Sequence, residues 1–217
     1  MAIYFLPSII FIFFLLLREI FTYKKNKLLK YLLTPLVSAV VIITALLSLR
    51  FNYGNTYNYI IITGLVFSLI GDTILMIEEV NLFIQGLIFF LFAQISYAFA
   101  FAFNYHFEVW NIFVAAGLFA VVIVFFKIIK NKAAGKAYPV LIYMLVISAM
   151  VYFAVSRLND GASVKGLLVS IGALLFLISD VLVAVNEFVK ELPNGTIIVW
   201  LIYAPSQFLI GLSCFFY

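Results

Sequence analysis

The sequence predicts an all-α integral membrane protein in which eight transmembrane helices form a single bundle. Of the 217 residues, 67% are hydrophobic and only 10% are charged, and the mean hydropathy is +1.24. The apolar residues fall into eight runs, most of them near the ~20 residues that span a bilayer core. These runs do not alternate between apolar and polar residues as the strands of a membrane β-barrel do, so helices are the expected spanning form.

Short polar breaks separate the runs and define the predicted spans in order. Span 1 is the shortest and ends before Arg18. Spans 2 and 6 each carry an early proline, at Pro35 and Pro139, and spans 4 and 8 each carry a glutamine in mid-membrane. The predicted spans are Ile3–Leu17, Tyr31–Leu49, Asn58–Ile77, Leu82–Phe103, Val109–Ile129, Tyr138–Val155, Val164–Val185 and Thr196–Phe216.

The distribution of lysine and arginine predicts the orientation of the bundle. Ten of the thirteen cations lie in links that follow odd-numbered spans, and only Arg50, Arg157 and Lys165 lie elsewhere. Because cytoplasmic links are enriched in lysine and arginine, this predicts that both termini are outside. The net charge of +4 then indicates contact with anionic lipid rather than with nucleic acid. A multi-pass protein of the membrane is expected, in the inner or plasma membrane if the source is bacterial.

Two aspartates occupy matching positions in spans 3 and 7. Asp72 and Asp180 each have Gly eight residues earlier, Leu-Ile ahead, a small residue at the preceding position and Glu seven residues later. The other seven acidic residues are expected near helix ends or in links. A carboxylate in hydrocarbon costs at least ~2.5–3.5 kcal/mol on insertion scales, so such a residue indicates a functional site. The two aspartates are therefore the candidate catalytic pair.

The matching frames suggest that a four-helix unit is used twice within one membrane domain, 1–217. Repeat 1 would cover about 1–107 and repeat 2 about 108–217. Because four spans is an even number, both units would share one orientation and be related by an axis along the membrane normal. Chance similarity among apolar helices is the alternative.

The residues near the two aspartates limit the possible chemistry. No cation is expected inside the spans near them, and burial favours the neutral form of a carboxyl group. Two neighbouring carboxylates also disfavour joint ionisation, so one aspartate is expected to be neutral while its partner is ionised. That pairing suits general acid–base catalysis, although a hydrogen-bonded pair that only locks spans 3 and 7 together is also possible.

Counting residues excludes several enzyme classes. His106 is the only histidine and is expected in an external link, so neither a Ser-His-Asp triad nor a histidine-rich zinc site can form at the aspartates. Cys214 is the only cysteine, and the chain has no glycine-rich phosphate loop. No metal and no cofactor are predicted.

The sequence resembles the YhhN family of membrane proteins, which includes the lysoplasmalogenases. The likeness covers nearly the whole chain in the same order. One departure is Gln94, where many members have histidine, so this position is not expected to carry a proton. The residues that carry the likeness are Lys30–Pro35, Gly71–Met76, the run from Gly86, Tyr97, Phe101, Tyr143, Met150, Gly172–Asp180, Asn186, Phe188, Tyr203 and Gln207–Ile210.

The resemblance implies hydrolysis of the vinyl-ether bond of a lysoplasmalogen. The products would be a fatty aldehyde and glycerophosphoethanolamine or glycerophosphocholine. A lysophospholipid substrate and the lipid bilayer are the expected partners, and the sequence makes no prediction about protein partners. Of Asp72 and Asp180, one would act as the acid and the other as the base, and Lys30 or Lys190 would pair with the phosphate. The predicted substrate-binding residues are Gln94, Tyr97, Asn186, Tyr203, Gln207, Lys30 and Lys190.

Two other functions fit paired intramembrane aspartates. A proton-coupled transporter of lipids or small molecules could carry a proton on the same pair within a two-repeat fold. Intramembrane aspartyl proteases also use two aspartates on different helices. This chain, however, has Leu69 and Ile70 before Gly71-Asp72 and so lacks the extra glycine of the protease motif. It also lacks a tyrosine before Asp180.

Overall fold

The computed structural model describes residues 4–77, 79–103, 105–133, 135–160 and 163–216, and in these residues it contains eight α-helices and no strand. Each helix is long and apolar enough to cross a membrane, which confirms the predicted fold class. Two 3₁₀ turns, Arg157–Asp160 and Ser213–Phe216, follow α6 and α8. The helices are α1 (Phe5–Tyr23), α2 (Lys27–Ser48), α3 (Thr56–Leu75), α4 (Phe83–Ala102), α5 (Trp110–Ile129), α6 (Ala137–Ser156), α7 (Val164–Phe188) and α8 (Gly195–Leu212).

The first helix extends further than its predicted span. The prediction ended at Leu17 and put Arg18 in a link, whereas α1 continues to Tyr23 and buries both Arg18 and Glu19. The helix can continue because the two charged side chains pair with each other inside the bundle. The expectation that only Asp72 and Asp180 lie among apolar helices was therefore wrong. The predicted start, Ile3, lies outside the described residues.

Contacts between the links place the odd-numbered links together at one end of the bundle. Lys27, the first residue of α2, pairs with Glu79 after α3 at 3.0 Å, and Lys136, just before α6, pairs with Glu187 near the end of α7 at 3.3 Å. At the other end, the side chain of Asn52 donates a 3.1 Å hydrogen bond to the carbonyl of Cys214. We call the first end the lysine-rich end. The assignment of this end to the cytoplasm remains a prediction.

The helix–helix contacts of the first four helices are repeated among the last four. Each helix of the first half packs on the next one, from α1 to α4, and the second half repeats this order from α5 to α8. The halves join through two crossed pairs, α2 with α8 and α6 with α4. A duplicated unit would produce this pattern, but the internal repeat itself remains a prediction.

Small residues allow the aspartate-bearing helices to approach their neighbours closely. A Cβ atom on Gly71 would lie 2.8 Å from the ring of Phe90 on α4, and one on Gly172 would lie 2.9 Å from Ile210 on α8. Small residues play this role in membrane helix packing generally. The face of α3 that carries Gly64, Ser68 and Gly71 is thus a packing face, and it turns Asp72 into the protein.

Candidate active site

Asp72 and Asp180 line one cavity of about 380 Å³. All eight helices contribute to its wall, which is mostly aliphatic and aromatic. A cavity of this size and composition is typical of sites for small ligands with an apolar part. The apolar wall includes Leu75, Met76, Phe83, Leu87, Phe90, Val121, Val122, Phe125, Val140, Met144, Ile147 and Val199.

Asp72 is buried on α3, with 4% of its surface exposed. The hydroxyl of Ser38 on α2 donates a 2.5 Å hydrogen bond to its Oδ2. The hydroxyl of Tyr203 lies beside the same carboxylate and within electrostatic range of Asp180, but its geometry gives no ordinary hydrogen bond to a described residue. Tyr203 therefore places a buried, under-satisfied hydroxyl beside Asp72, in the cavity that also holds Asp180.

Asp180 is held on α7 through one of its two oxygens. Oδ2 accepts a 2.5 Å hydrogen bond from the Tyr143 hydroxyl and a 3.1 Å hydrogen bond from Nε2 of Gln94. Oδ1 makes no hydrogen bond within the described part of the chain, so it is the oxygen left for other chemistry. Gln94 is fully buried and acts on Asp180 directly.

The two carboxyl groups have related surroundings. Each accepts a hydroxyl hydrogen bond from the preceding helix, Ser38 on α2 for Asp72 and Tyr143 on α6 for Asp180. Each also meets a polar side chain from the last helix of the other half, since Tyr203 lies on α8 and Gln94 on α4. Both halves of the bundle are thus needed to complete either carboxyl environment.

Arg18 is a site residue that the sequence analysis missed. It lines the same cavity and lies within electrostatic range of Asp72, so the expectation of no nearby cation was wrong. Its guanidinium stacks 3.8 Å from the ring centroid of Trp200, its Nε donates to Thr34 at 3.2 Å, and it pairs with Glu19. A signal was present in the sequence, because Arg18 continues a helical face that Phe11 and Leu15 begin.

Tyr97 and Gln207 form a separate network behind the cavity. The Tyr97 hydroxyl donates to Oε1 of Gln207 at 2.7 Å, and Nε2 of Gln207 donates to Ser68 at 3.2 Å. Neither residue lines the main cavity, although Gln207 borders a space of about 10 Å³ beside Asp72. Of the predicted substrate contacts, these two therefore support the helices rather than face the cavity.

A second, more polar cavity of about 350 Å³ lies at the lysine-rich end, and we call it the basin. It shares Lys30, Asn186, Gly195 and Thr196 with the main cavity, so the two spaces adjoin. Lys190 is exposed and lines neither space. The basin is lined by Thr22, Tyr23, Lys25, Asn26, Lys27, Lys30, Asn186, Glu191, Leu192, Asn194, Gly195, Thr196 and Ile197.

The link between α7 and α8 is fixed at the junction of these spaces. Oδ1 of Asn186 accepts a 2.8 Å hydrogen bond from the backbone of Leu192, and a Cβ on Gly195 would lie 2.6 Å from the same oxygen. A larger residue at position 195 would therefore displace the Asn186 side chain that holds the link. Predicted as a substrate contact, Asn186 lines the junction and also holds the link.

Glu79 anchors the outer part of the lysine-rich end. The Tyr31 hydroxyl donates to Glu79 at 2.7 Å and Lys27 donates at 3.0 Å. These two hydrogen bonds, in that order, lower the pKa of Glu79 to about 2. The carboxylate thus stays charged over a wide pH range and ties α2 to the link after α3.

Metal-ligating residues do not cluster in the described parts of the chain. No group of three or more His, Cys, Asp and Glu side chains comes together there. His106 is exposed at the end opposite the basin, and Cys214 is buried. The two aspartates must therefore be judged as carboxyl groups rather than as part of a larger ligand set.

Comparisons with known proteins agree with the predicted resemblance. The sequence model of the YhhN family matches residues 2–214. Two proteins named lysoplasmalogenase TMEM86A, from Bos taurus and Homo sapiens, are 30% and 29% identical over 159 residues, covering 70% of this chain and 64% of each relative. A Dictyostelium discoideum protein named lysoplasmalogenase homolog is 29% identical over 201 residues, covering 75% of this chain and 65% of that protein.

The chain spans just under two thirds of the length of these curated relatives. No solved structure matches it significantly.

Proposed function

The chain belongs to the YhhN family, and from this premise we propose that it is a membrane-embedded hydrolase that cleaves the vinyl-ether bond of lysoplasmalogens. The products are a fatty aldehyde and glycerophosphoethanolamine or glycerophosphocholine. The observation that carries the proposal is the cavity that holds the carboxyl groups of Asp72 and Asp180 inside an apolar wall. The names of the relatives support the same reaction.

The reaction needs one neutral acid and one ionised base. The acid protonates the outer carbon of the vinyl ether, which leaves positive charge on the carbon bonded to the ether oxygen. Water adds to that carbon and gives a proton to the base, forming a hemiacetal. The deprotonated acid then takes the hemiacetal hydroxyl proton, the carbon–oxygen bond to glycerol breaks, and the protonated base supplies the proton for the glycerol hydroxyl. Both carboxyl groups return to their starting states, and one water is consumed.

We assign the acid to Asp180. Both of its hydrogen bonds from Tyr143 and Gln94 go to Oδ2, as they would to the carbonyl oxygen of a neutral carboxylic acid. The proton then sits on Oδ1, which no described residue contacts by hydrogen bond. A buried carboxyl group without a cation beside it favours the neutral form, so this environment suits an acid.

We assign the base to Asp72. The hydroxyl of Ser38 donates a hydrogen bond to Oδ2 of Asp72, and Arg18 lines the same cavity; a hydrogen-bond donor and a nearby cation both stabilise a carboxylate. An ionised Asp72 also places negative charge near the oxocarbenium ion as that ion forms. The Tyr203 hydroxyl beside Asp72 can hold the attacking water, because it is buried and makes no ordinary hydrogen bond with the described residues.

Transport is the second candidate, and the crossed helix contacts favour it. The pairs α2–α8 and α4–α6 join the two halves around the aspartates, as a rocking two-repeat carrier would require. In that case Asp72 and Asp180 would carry a proton across the membrane rather than give it to a substrate.

One reconstitution experiment separates the two functions. The purified protein is placed in liposomes with a lysoplasmenylethanolamine that carries a label on the alkenyl chain, and both aldehyde release and movement of the intact lipid between leaflets are followed. Hydrolysis is expected, and it should be lost in the Asp72→Asn/Asp180→Asn double variant. Movement of intact lipid without aldehyde would refute the hydrolase and favour the carrier.

A further inference from the structure

The basin combines charges of both signs on facing links. Lys25, Lys27 and Lys30 belong to the α1–α2 link and the start of α2, whereas Glu191 belongs to the α7–α8 link. We propose that the basin is the headgroup site for a zwitterionic lysophospholipid, in which Lys25 and Lys30 bind the phosphodiester and Glu191 binds the ammonium group. This inference rests on the proposed function and assigns the polar half of the same substrate.

The junction of the two spaces matches the covalent layout of the substrate. In a lysoplasmalogen only the three-carbon glycerol separates the vinyl-ether oxygen from the phosphate, so the two groups must occupy adjoining spaces. The main cavity holds the aspartates, and the basin shares four lining residues with it. Lys30 lines both spaces and so lies at the junction where the phosphate would follow the glycerol.

The two outer lysines of the basin are not equivalent. Lys27 is already paired with Glu79 at 3.0 Å. Lys25 makes no ion pair with a described residue, and its backbone has a φ of +55°, a left-handed conformation unusual for a residue other than glycine. This turn separates Lys25, which lines the basin, from its neighbour Lys24, which does not. Lys25 is therefore the outer lysine available to a phosphate.

Glu191 supplies the charge that distinguishes a zwitterion from a simple anion. It is the only acidic residue in the basin lining and makes no ion pair with the rest of the described chain. A carboxylate in a lysine-lined space weakens the binding of a plain anion and strengthens the binding of a ligand with an ammonium group beyond its phosphate. Ethanolamine and choline headgroups both have that arrangement.

Binding can be tested with lipids that the protein is not expected to hydrolyse. A 1-O-alkyl lysophosphatidylethanolamine lacks the vinyl bond, a 1-O-alkyl lysophosphatidylglycerol is anionic, and a 1-O-alkylglycerol lacks the phosphate. We expect the protein in detergent to bind them in that order of affinity. Glu191→Lys should reverse the preference between the first two lipids by about tenfold or more. Lys25→Gln should weaken both phospholipids roughly threefold to tenfold and leave the alkylglycerol unchanged.

Matched controls use residues close in sequence or type that do not line the basin. Lys24→Gln is the control for Lys25→Gln, and Glu108→Lys, at the opposite end of the bundle, is the control for reversing the charge of an exposed carboxylate. Neither should change the order of affinities. An unchanged preference in Glu191→Lys would overturn the headgroup site, as would equal binding of the alkylglycerol and the phospholipids.

Competition separates a headgroup from a free anion. Glycerophosphoethanolamine should displace the zwitterionic lipid at lower concentration than inorganic phosphate does, whereas equal displacement would reduce the basin to an anion site and overturn the proposal. The hydrolase proposal is judged separately, by aldehyde release from the alkenyl lipid. If the binding preferences hold but no aldehyde is formed, the headgroup site stands and the proposed hydrolysis falls.

Discussion

Replacing Asp180 by asparagine tests the proposed acid most directly. The side-chain carbonyl of asparagine can still accept the hydrogen bonds from Tyr143 and Gln94, and its amide group occupies the position of the protonated oxygen. If Asp180 is neutral, the substitution removes only acidity. Stability should therefore change by less than about 0.5 kcal/mol, whereas the loss of a general acid should lower kcat by ~10²–10⁴-fold, or about 3–5 kcal/mol in activation free energy.

The assay measures aldehyde release from lysoplasmenylethanolamine in detergent, alongside thermal unfolding of the same preparation. Ser170→Ala is a matched control, because Ser170 is buried on α7, does not line the main cavity and, among the described residues, bonds only to the backbone carbonyl of Ala154. The control should retain activity within about threefold of wild type. A variant Asp180→Asn that turns over near the wild-type rate would refute the acid assignment. Strong destabilisation with asparagine would instead contradict a neutral Asp180.

Four further outcomes follow from the structure. Activity should fall at low pH, where Asp72 becomes protonated, and at high pH, where Asp180 loses its proton. The residual activity of Asp72→Asn should no longer fall at low pH. An unchanged pH profile in that variant would exclude Asp72 as the base. Exhaustive EDTA treatment should leave activity intact, and loss that zinc restores would contradict a carboxyl-only mechanism. Tyr97→Phe should cost about 1–3 kcal/mol in unfolding free energy by leaving the buried Gln207 amide oxygen unpaired, with little change in kcat, as measured by denaturation and aldehyde release. The folded-state pKa of Glu79 is about 2, below its ordinary value, so its contribution to stability should be complete above pH ~4.5 and should decline as the pH falls toward 2. Unfolding measured across this pH range for the wild type and Tyr31→Phe should show that the variant loses stability at a higher pH.

Helix positions and the aspartate pair could be predicted because they depend on local composition. Apolar runs of sufficient length must be helical in a bilayer, and Gly64 and Gly71 indicated the face of span 3 that packs inside. Arg18 could not be assigned in the same way. A cation at the end of an apolar run has the same sequence pattern whether its side chain reaches the membrane interface or is buried. Here burial depends on stacking with Trp200, which is 182 positions further along the chain.

The two glutamines illustrate the same limit. Gln94 and Gln207 are similar in sequence context, yet Gln94 donates to Asp180 while Gln207 accepts from Tyr97. The rotation of α4 and α8 against their neighbours decides which polar partner each one meets. Composition carries no information on that rotation. The sequence therefore predicted a substrate role for both glutamines and could not distinguish Gln94, which contacts a carboxyl group, from Gln207, which belongs to a structural network.

The charges around the cavity also bear on which carboxyl group is neutral. Arg18 pairs with Glu19, and Lys30 and Asp72 line the same cavity, so the formal charges of these four groups cancel when Asp72 is ionised and Asp180 is neutral. A bound phosphodiester then makes the site net negative at the moment when the oxocarbenium ion forms. If Asp180 were also ionised, the site would already be negative and would oppose the phosphate that brings the substrate. The neutral acid is thus the state in which headgroup binding and stabilisation of the cation are compatible.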